Sequence, residues 1–264
     1  MNTSANLVYL MYHELELPGR SLCRNEPGYV RYIVRAADFR AQMLSLQGSG
    51  RRGMSVSEAL SGPVAPGVTI TFDDGCATDL TTAAPLLREL GFNATFYVTV
   101  GFLDRPGYLS RAQLRELSEL GAEIGSHSMT HAYLTDLDGE QLAYEIGGSK
   151  QELEQMTGRP VRHFSCPGGR SDARVARAAL EAGYRSVATS RCTTNSPSAS
   201  PFALGRVAVL RETGLGTFDR LSKGHGLLGI RFRDSARSSV KRLLGNALYD
   251  RVRARILASG PKTR

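Results

Sequence analysis

The chain lacks several features that would assign it to a common class. Its four Cys show no C-x-x-C spacing, which argues against a zinc ribbon. No apolar run approaches the ~20 residues that a membrane-spanning helix needs. Residues 1–12 have neither a basic n-region nor a long h-region, so the sequence does not predict a signal peptide. We therefore expect a cytoplasmic protein, peripheral at the inner membrane surface if it meets a membrane at all.

Length and pattern favour one α/β catalytic domain without internal repeats. The 264 residues are 41% hydrophobic, enough for a sizeable core. Strand-like runs alternate with amphipathic segments, a pattern typical of a parallel sheet. Two capping-box spacings, Ser55 with Glu58 and Ser110 with Gln113, mark helix starts. The predicted strands are Leu7–Tyr12, Val68–Phe72, Asn93–Val100, Ala122–Ser126, Val161–Ser165 and Tyr184–Thr189.

Two adjacent carboxylates, Asp73 and Asp74, stand at the end of the strand predicted over Val68–Phe72. Like charges this close raise each other's pKa unless a cation or hydrogen bonds separate their roles. A metal ion bound by one carboxylate would leave the other free as a base. The alternative is an ordinary turn, because Asp tolerates turns and Gly75 supplies positive φ.

Two of the five His follow another predicted strand end, at His127 and His131. On one helical turn, i and i+4 rings converge on one side, and imidazole is a common metal ligand. Isolated pairs at this spacing are more often surface or core residues. Together with Asp74, however, they form a two-His, one-carboxylate set that leaves positions open for water and substrate.

These residues make the chain resemble the polysaccharide deacetylase family, also called the NodB homology or carbohydrate esterase family 4 group. Its first motif, TFDDG, stands at 71–75, and its second, H-[ST]-x-x-H, stands at 127–131. The resemblance runs from about residue 7 to 210. It implies a distorted (β/α)7 barrel, with Asp73 as general base and Asp74, His127 and His131 as ligands of zinc, cobalt or nickel.

The third family motif, usually R-x-P-Y-G, is altered here to Ser165-Cys166-Pro167-Gly168-Gly169. The resemblance implies that the Gly168 backbone N–H serves the oxyanion, with Pro167 and Gly169 beside the substrate. The arginine that usually orients the base is missing. We expect Arg170 or a backbone group to replace it.

Two later family motifs are also missing. The chain has no Trp, so the D-x-x-D-W motif is absent, and no L-x-H motif is evident. The resemblance to poly-β-1,6-N-acetylglucosamine deacetylases offers a replacement, because that subgroup takes the late His from an early Tyr-His pair. Here Tyr12 and His13 follow the first predicted strand. His13 would then protonate the departing amine and Tyr12 would contact substrate. The alternative is an exposed His at a strand end.

This set of groups predicts metal-dependent amide hydrolysis. The metal would polarise an acetamide carbonyl and lower the pKa of its water, Asp73 would take the water proton, and the oxyanion would meet a backbone donor. The resemblance implies an N-acetylhexosamine unit in a glycan or lipid-linked sugar as substrate. A glycan-binding pseudoenzyme is the first alternative, because the third-motif arginine is lost.

The C-terminal segment differs in charge from the rest. Residues 231–264 contain ten Lys or Arg against two Asp, a surplus equal to the net charge of +8 of the whole chain. We therefore divide the chain into a catalytic domain, 1–230, and a basic extension, 231–264. Val240, Leu244 and Leu248 fall at helical spacing, as in a basic amphipathic helix. Such a helix could lie on an anionic membrane or dock on the barrel; nucleic acid is not expected, because no reading motif accompanies the charge.

The four Cys leave two interpretations open. Cys76 and Cys166 each lie beside motif residues, so they could be near one another or near the metal. The simpler interpretation is that they are small buried residues in a reducing compartment.

Overall fold

The computed structural model describes residues 6–61 and 66–229. The strands in these ranges are β1 (Val8–Tyr12), β2 (Leu15–Glu16), β3 (Val34–Arg35), β4 (Arg52–Met54), β5 (Gly67–Asp74), β6 (Thr95–Val98), β7 (Glu123–Ser126), β8 (His163–Ser165), β9 (Ser186–Ala188) and β10 (Val207–Ala208). The α-helices are α1 (Pro27–Val30), α2 (Ala36–Gly48), α3 (Val56–Leu60), α4 (Ala84–Glu89), α5 (Arg111–Glu119), α6 (Gly139–Ala143), α7 (Ser149–Thr157), α8 (Ala173–Glu181) and α9 (Leu215–Ser222).

The main sheet is parallel throughout, as the alternation of strands and helices predicts. Its strand order is β10-β1-β5-β6-β7-β8-β9, and β4 pairs with the first half of β5. Every residue of β1 and β5 is buried, because a parallel sheet carries helices on its outer face. The ring stack of Tyr12 on Phe72 and of Phe72 on Phe96, with centroids 5.3 and 5.2 Å apart, lies in the core across β1, β5 and β6.

One short segment joins the two ends of this curled sheet. Leu204 pairs with Ala188 of β9, and Val207, three residues later, pairs with Leu10 of β1. Residues 204–208, which we call the seam, therefore lie between the first and last strands. A residue in the seam whose side chain points inward reaches the barrel interior, and Arg206 does so with 1% of its surface exposed.

The structure confirms the predicted helix starts and strands, which depend on residues close together in the sequence. Ser55 and Ser110 both cap their helices, with Glu58 and Gln113 returning the second hydrogen bond of each capping box. The six predicted strands all form, and five of them are shorter than predicted, mainly because pairing begins one or two residues later.

The division at residue 230 stays a prediction. Residues 231–264 and their predicted amphipathic helix lie outside the described residues. Between Asn6 and Gly229, apart from the gap at 62–65, no helix is both long and apolar enough to cross a bilayer.

Candidate metal-dependent active site

Strand register brings the predicted site residues to one end of the barrel. Asp74 at the end of β5 pairs with Val98 of β6, and Val98 pairs with Ser126, the last residue of β7. Ser126 in turn pairs with Phe164 of β8. Because parallel strands end together, Asp73, Asp74 and His127 meet at their carboxyl ends, where barrel enzymes place their sites.

Asp74, His127 and His131 form the metal-ligand set that the sequence predicts. The Oδ1 atom of Asp74 lies 3.4 Å from His131 Nε2 and 3.6 Å from His127 Nε2. Donor atoms of all three residues lie within 4.8 Å of one another. Asp74 Oδ1 is buried and has no hydrogen-bond partner among the described residues. Two imidazoles and one carboxylate with an unsatisfied buried oxygen fit Zn²⁺ or a related divalent ion.

The two histidines converge for a reason other than the one predicted. Residues 127–131 form a bent loop, not a helical turn, and the expectation of helical i, i+4 spacing was wrong. Ser128 and His131 adopt positive φ of 71° and 67°, and Asp74 has φ of 84°. Such conformations are costly for residues with a Cβ, and they cluster at functional sites.

Hydrogen bonds from Ser128 and Glu145 hold this strained loop. Ser128 Oγ accepts from the backbone N–H of His131 at 2.9 Å. The buried carboxylate of Glu145 accepts from the N–H groups of Met129 and Thr130 at 3.0 and 2.9 Å, and from the Thr130 hydroxyl. The loop thus obtains from side chains the partners that a regular helix would provide.

The tautomer of His127 is fixed by the strand next to it. Its Nδ1 lies 2.9 Å from the carbonyl oxygen of Ser165, so Nδ1 carries the proton and donates. The Nε2 lone pair then faces Asp74, as a ligand requires. Burial lowers the pKa of His127 to about 4, outweighing the nearby Asp73 carboxylate. His127 is therefore neutral at physiological pH.

Asp73 is held by Arg206, and the expectation that Arg170 or a backbone group orients it was wrong. Arg206 Nη1 donates to Asp73 Oδ1 at 2.7 Å, and Nη2 donates to Asp73 Oδ2 at 2.8 Å. The remaining donors reach Thr71 Oγ1, Ser165 Oγ and the Thr189 carbonyl at 3.2, 2.7 and 3.1 Å. All five guanidinium N–H groups thus have an acceptor.

This pairing sets the charge state of Asp73. Burial by itself would raise the pKa of the Asp73 carboxyl, but Arg206, His127 and His13 together lower it below its ordinary value. Asp73 is therefore ionised and aligned at neutral pH.

Sequence reasoning missed Arg206 because its partner is 133 positions away. The available signal was an arginine directly before the apolar residues 207–210, since a charged residue at a strand start needs a partner if it turns inward. Arg170 instead lies over the Tyr133 ring at 3.5 Å, with Asp136 at 3.9 Å. Ser165, at the position of the usual arginine, contributes its hydroxyl to the Arg206–Asp73 pair.

His13 lies close enough to the two carboxylates to interact with them electrostatically. Burial lowers its pKa, and the charges of Asp74 and Asp73 partly oppose that shift. Its ring is 4.9 Å from that of Tyr32, and His13 Nδ1 has no hydrogen-bond partner among the described residues. This position suits the predicted proton donor, and the role itself stays a prediction.

Tyr12 is a core residue, which corrects its predicted contact with substrate. It is fully buried, its hydroxyl donates to Gln42 Oε1 at 2.8 Å, and its ring packs edge-on against Phe39. It acts on the site by fixing the end of β1, from which His13 follows.

The third-motif turn is shaped by its glycines. Pro167, Gly168 and Gly169 form a 3₁₀ turn after β8, with φ of 61° at Gly168 and 69° at Gly169. A Cβ on Gly169 would lie 2.1 Å from Ser190 Oγ, so only glycine fits there. Gly168 is exposed while Pro167 is buried. The oxyanion role of Gly168 and the substrate contacts of Pro167 and Gly169 stay predictions.

Comparison with known proteins supports the predicted resemblance to polysaccharide deacetylases. The family model described as polysaccharide deacetylase matches residues 62–187, which include Asp73, Asp74 and the two histidines, His127 and His131. The Bacillus subtilis protein YxkH, itself provisionally named a polysaccharide deacetylase, is 29% identical over 78% of this chain and 72% of its own. A peptidoglycan-N-acetylglucosamine deacetylase of Bacillus cereus is 37% identical over 46% of this chain and 54% of its own.

The fold is confirmed by a solved structure. The Streptococcus pyogenes deacetylase PplD, solved in complex with acetate, matches with a TM-score of 0.73 at 20% identity, over 84% of this chain and 99% of that chain. The curled seven-strand path is thus the predicted distorted barrel of this fold. The alignment with the Bacillus cereus enzyme spans only about half of that enzyme's length.

Zinc binding should separate the two adjacent aspartates. We expect Asp74→Ala to remove one zinc equivalent, with an affinity loss of more than about 100-fold, because even residues behind metal ligands contribute 10–100-fold. Asp73→Asn is the matched control and should keep that equivalent. Chelator competition measures both, and equal zinc loss in the two variants would contradict the assignment of Asp74 as the ligand.

Proposed function

We propose that this chain is a deacetylase like the polysaccharide deacetylases it resembles, and that it hydrolyses the N-acetyl group of an N-acetylhexosamine unit in a glycan, releasing acetate. The observation that carries the proposal is the division of labour at the end of β5. Asp74 faces two histidines, with donor atoms of all three within 4.8 Å, while Asp73 is held apart by Arg206. A ligand set with an adjacent, separately held base is what metal-assisted amide hydrolysis needs.

Different residues of the chain then carry out the two proton transfers of the reaction. Asp74, His127 and His131 would hold a divalent metal ion, which would supply Lewis acidity toward an acetamide carbonyl and a water molecule. Asp73 accepts the proton of the attacking water, and its ion pair with Arg206 keeps it ionised and aimed at the site. We assign the backbone N–H of Gly168 to stabilise the developing oxyanion, as the family resemblance implies.

Collapse of the tetrahedral species needs a proton on nitrogen, because an amide anion is a very poor leaving group. His13 is the donor we assign to that step, because its buried Nδ1 has no partner among the described residues and its ring interacts electrostatically with Asp73 and Asp74. Burial lowers the pKa of His13, and the charges of Asp74 and Asp73 partly offset that shift, so they help to keep a proton on the ring for this step.

The finer substrate and the place of action are also proposals. We propose zinc as the resident metal and a lipid-linked glycan as substrate, met at the cytoplasmic membrane surface. Support comes from the ten basic residues of 231–264, because a basic segment is attracted to anionic headgroups.

Acetate release tests the activity. With zinc present, the protein should release acetate from oligomers of N-acetylglucosamine, and Asp73→Asn should lower kcat by about 100-fold or more, as loss of a general base does. Enzymatic acetate quantification measures the rate. A wild-type rate no higher than that of Asp73→Asn would favour a glycan-binding protein without catalysis.

Moving the arginine tests whether Arg206 positions the base. Arg206→Ala should cost about 3–5 kcal/mol of unfolding free energy, because it leaves Asp73 buried and unpaired. It should also lower kcat with little change in KM. Arg206→Ala combined with Ser165→Arg returns a guanidinium to Asp73 from the end of β8, where the Ser165 hydroxyl already contacts Asp73, and should restore part of both quantities.

The matched controls for this experiment are two single variants. Arg206→Lys keeps the charge but loses the two-pronged contact, so kcat should fall more than stability does. Ser165→Arg alone places two guanidinium groups together and should destabilise the protein. If the double variant is no more active than Arg206→Ala, Arg206 contributes folding stability but does not orient the base.

Reversing charges tests the membrane proposal. Converting Arg251, Arg253 and Arg255 to Glu should weaken binding to anionic vesicles by about 100-fold or more, since each basic residue near such a surface contributes about 1 kcal/mol. Hydrolysis of short soluble oligomers should not change. The same reversal at exposed Arg52, Arg88 and Arg177 of the barrel is the control. Equal vesicle binding by the two variants would contradict the proposal that residues 231–264 bind the membrane surface.

A further inference from the structure

A second group of metal-type ligands lies beside the active site and is used by none of the steps above. It consists of Glu14, Cys23 and Cys76, which we call the thiol cluster. Donor atoms of the three lie within 4.8 Å of one another, and the two Sγ atoms are 3.7 Å apart. Cys76 follows the TFDDG motif directly, whereas Cys23 comes from the loop after β2. The cluster shares no residue with Asp74, His127 and His131.

The fold builds this cluster from three separate segments around one carbonyl group. The oxygen of Gly107 accepts from the N–H of Ala77 at 2.9 Å and from Arg20 Nη2 at 2.7 Å, so it holds the Cys76 turn and the Cys23 loop together. Gly107 has φ of 89°, and a Cβ there would lie 2.8 Å from Cys23 Sγ. Only glycine leaves room for the thiol at this place.

Charge at the cluster is mostly negative and buried. Glu14 is fully buried, and its carboxylate accepts from the N–H of Cys23 at 2.9 Å and pairs with Arg20. Asp79, whose N–H donates to the Cys76 carbonyl, is also fully buried, and neither of its carboxylate oxygens has a hydrogen-bond partner among the described residues. The cluster thus combines two thiols and the Glu14 carboxylate with a further buried carboxyl group whose oxygens lack partners among the described residues, whereas buried polar atoms ordinarily have them.

The sulfur separation fits a metal better than a disulfide. Two thiolates bound to a tetrahedral Zn²⁺ at ~2.3 Å lie about 3.8 Å apart, whereas disulfide sulfurs lie about 2.05 Å apart. We propose that Glu14, Cys23 and Cys76 bind a second, thiophilic divalent cation such as Zn²⁺, separate from the catalytic metal. This ion fastens the loop after β2, which includes Arg20 and Cys23, to the turn that follows Asp73 and Asp74.

Cobalt substitution distinguishes the two sites by their ligand atoms. Thiolate ligands give Co²⁺ an intense near-ultraviolet charge-transfer band, and a site built from nitrogen and oxygen does not. The full-length, metal-free protein titrated with Co²⁺ should bind two equivalents and show this band. Cys23→Ser with Cys76→Ser should lose the band and one equivalent, while His131→Ala should lose the other equivalent and keep the band.

The matched control is Cys192→Ser, which removes a buried thiol outside the cluster and should keep both equivalents and the band. If the double variant fails to fold by circular dichroism, Cys23→Ser alone serves, because Cys23 is partly exposed. We expect it to weaken the band and to lower the affinity of that equivalent by at least tenfold.

Three results would overturn the proposal. They are a folded wild-type protein without the charge-transfer band, a Cys23→Ser protein whose band is as intense as that of the wild type, and a Cys23–Cys76 disulfide found by mass spectrometry in protein kept under reducing conditions. Each leaves the deacetylase proposal standing, because Asp74, His127 and His131 are untouched in these variants. A wild-type protein that shows the band but releases no acetate would instead contradict the deacetylase proposal and leave the thiol-cluster proposal standing.

Discussion

The ion pair between Asp73 and Arg206 is the interaction on which the rest of the active site depends. Both partners are buried, and unpaired charges in such a place cost several kcal/mol, so each is tolerable only with the other. The guanidinium also binds Thr71, Ser165 and Thr189, which belong to or follow three strands of the barrel. One side chain from the seam therefore aligns the base and joins the first and last parts of the sheet.

The same pair explains how two neighbouring carboxylates hold different roles. Repulsion between Asp73 and Asp74 would raise the pKa of one of them if both faced the same environment. Arg206 gives Asp73 a permanent cation on one side, while Asp74, turned by its positive φ, faces His127 and His131 on the other. The strained loop that carries His131 is held by Ser128 and Glu145, so the strain is balanced by hydrogen bonds outside the ligand set.

Much of this arrangement could be predicted from local sequence, and the failures share one cause. The parallel strands, the two capping boxes and the positions of Asp74, His127 and His131 follow from short-range patterns, because strand ends and caps depend on residues a few positions apart. The prediction of a helical turn at 127–131 was wrong because hydrogen bonds from the loop N–H groups to the Glu145 carboxylate favour a bent loop over a helical turn. Tyr12 was misplaced because its partners, Gln42 and Phe39, come from α2.

By itself the sequence determined the fold class and predicted the candidate metal ligands that the structure brings together, since the motifs and the alternation of strands and helices lie in contiguous residues. The tertiary structure alone decided which arginine serves Asp73 and which cysteine faces Cys76. Arg206 and Cys23 lie 133 and 53 positions from those partners, and only closure of the barrel and the path of the loop after β2 bring them together. Contacts between residues so far apart in sequence depend on how the strands and loops pack, and no local periodicity predicts them.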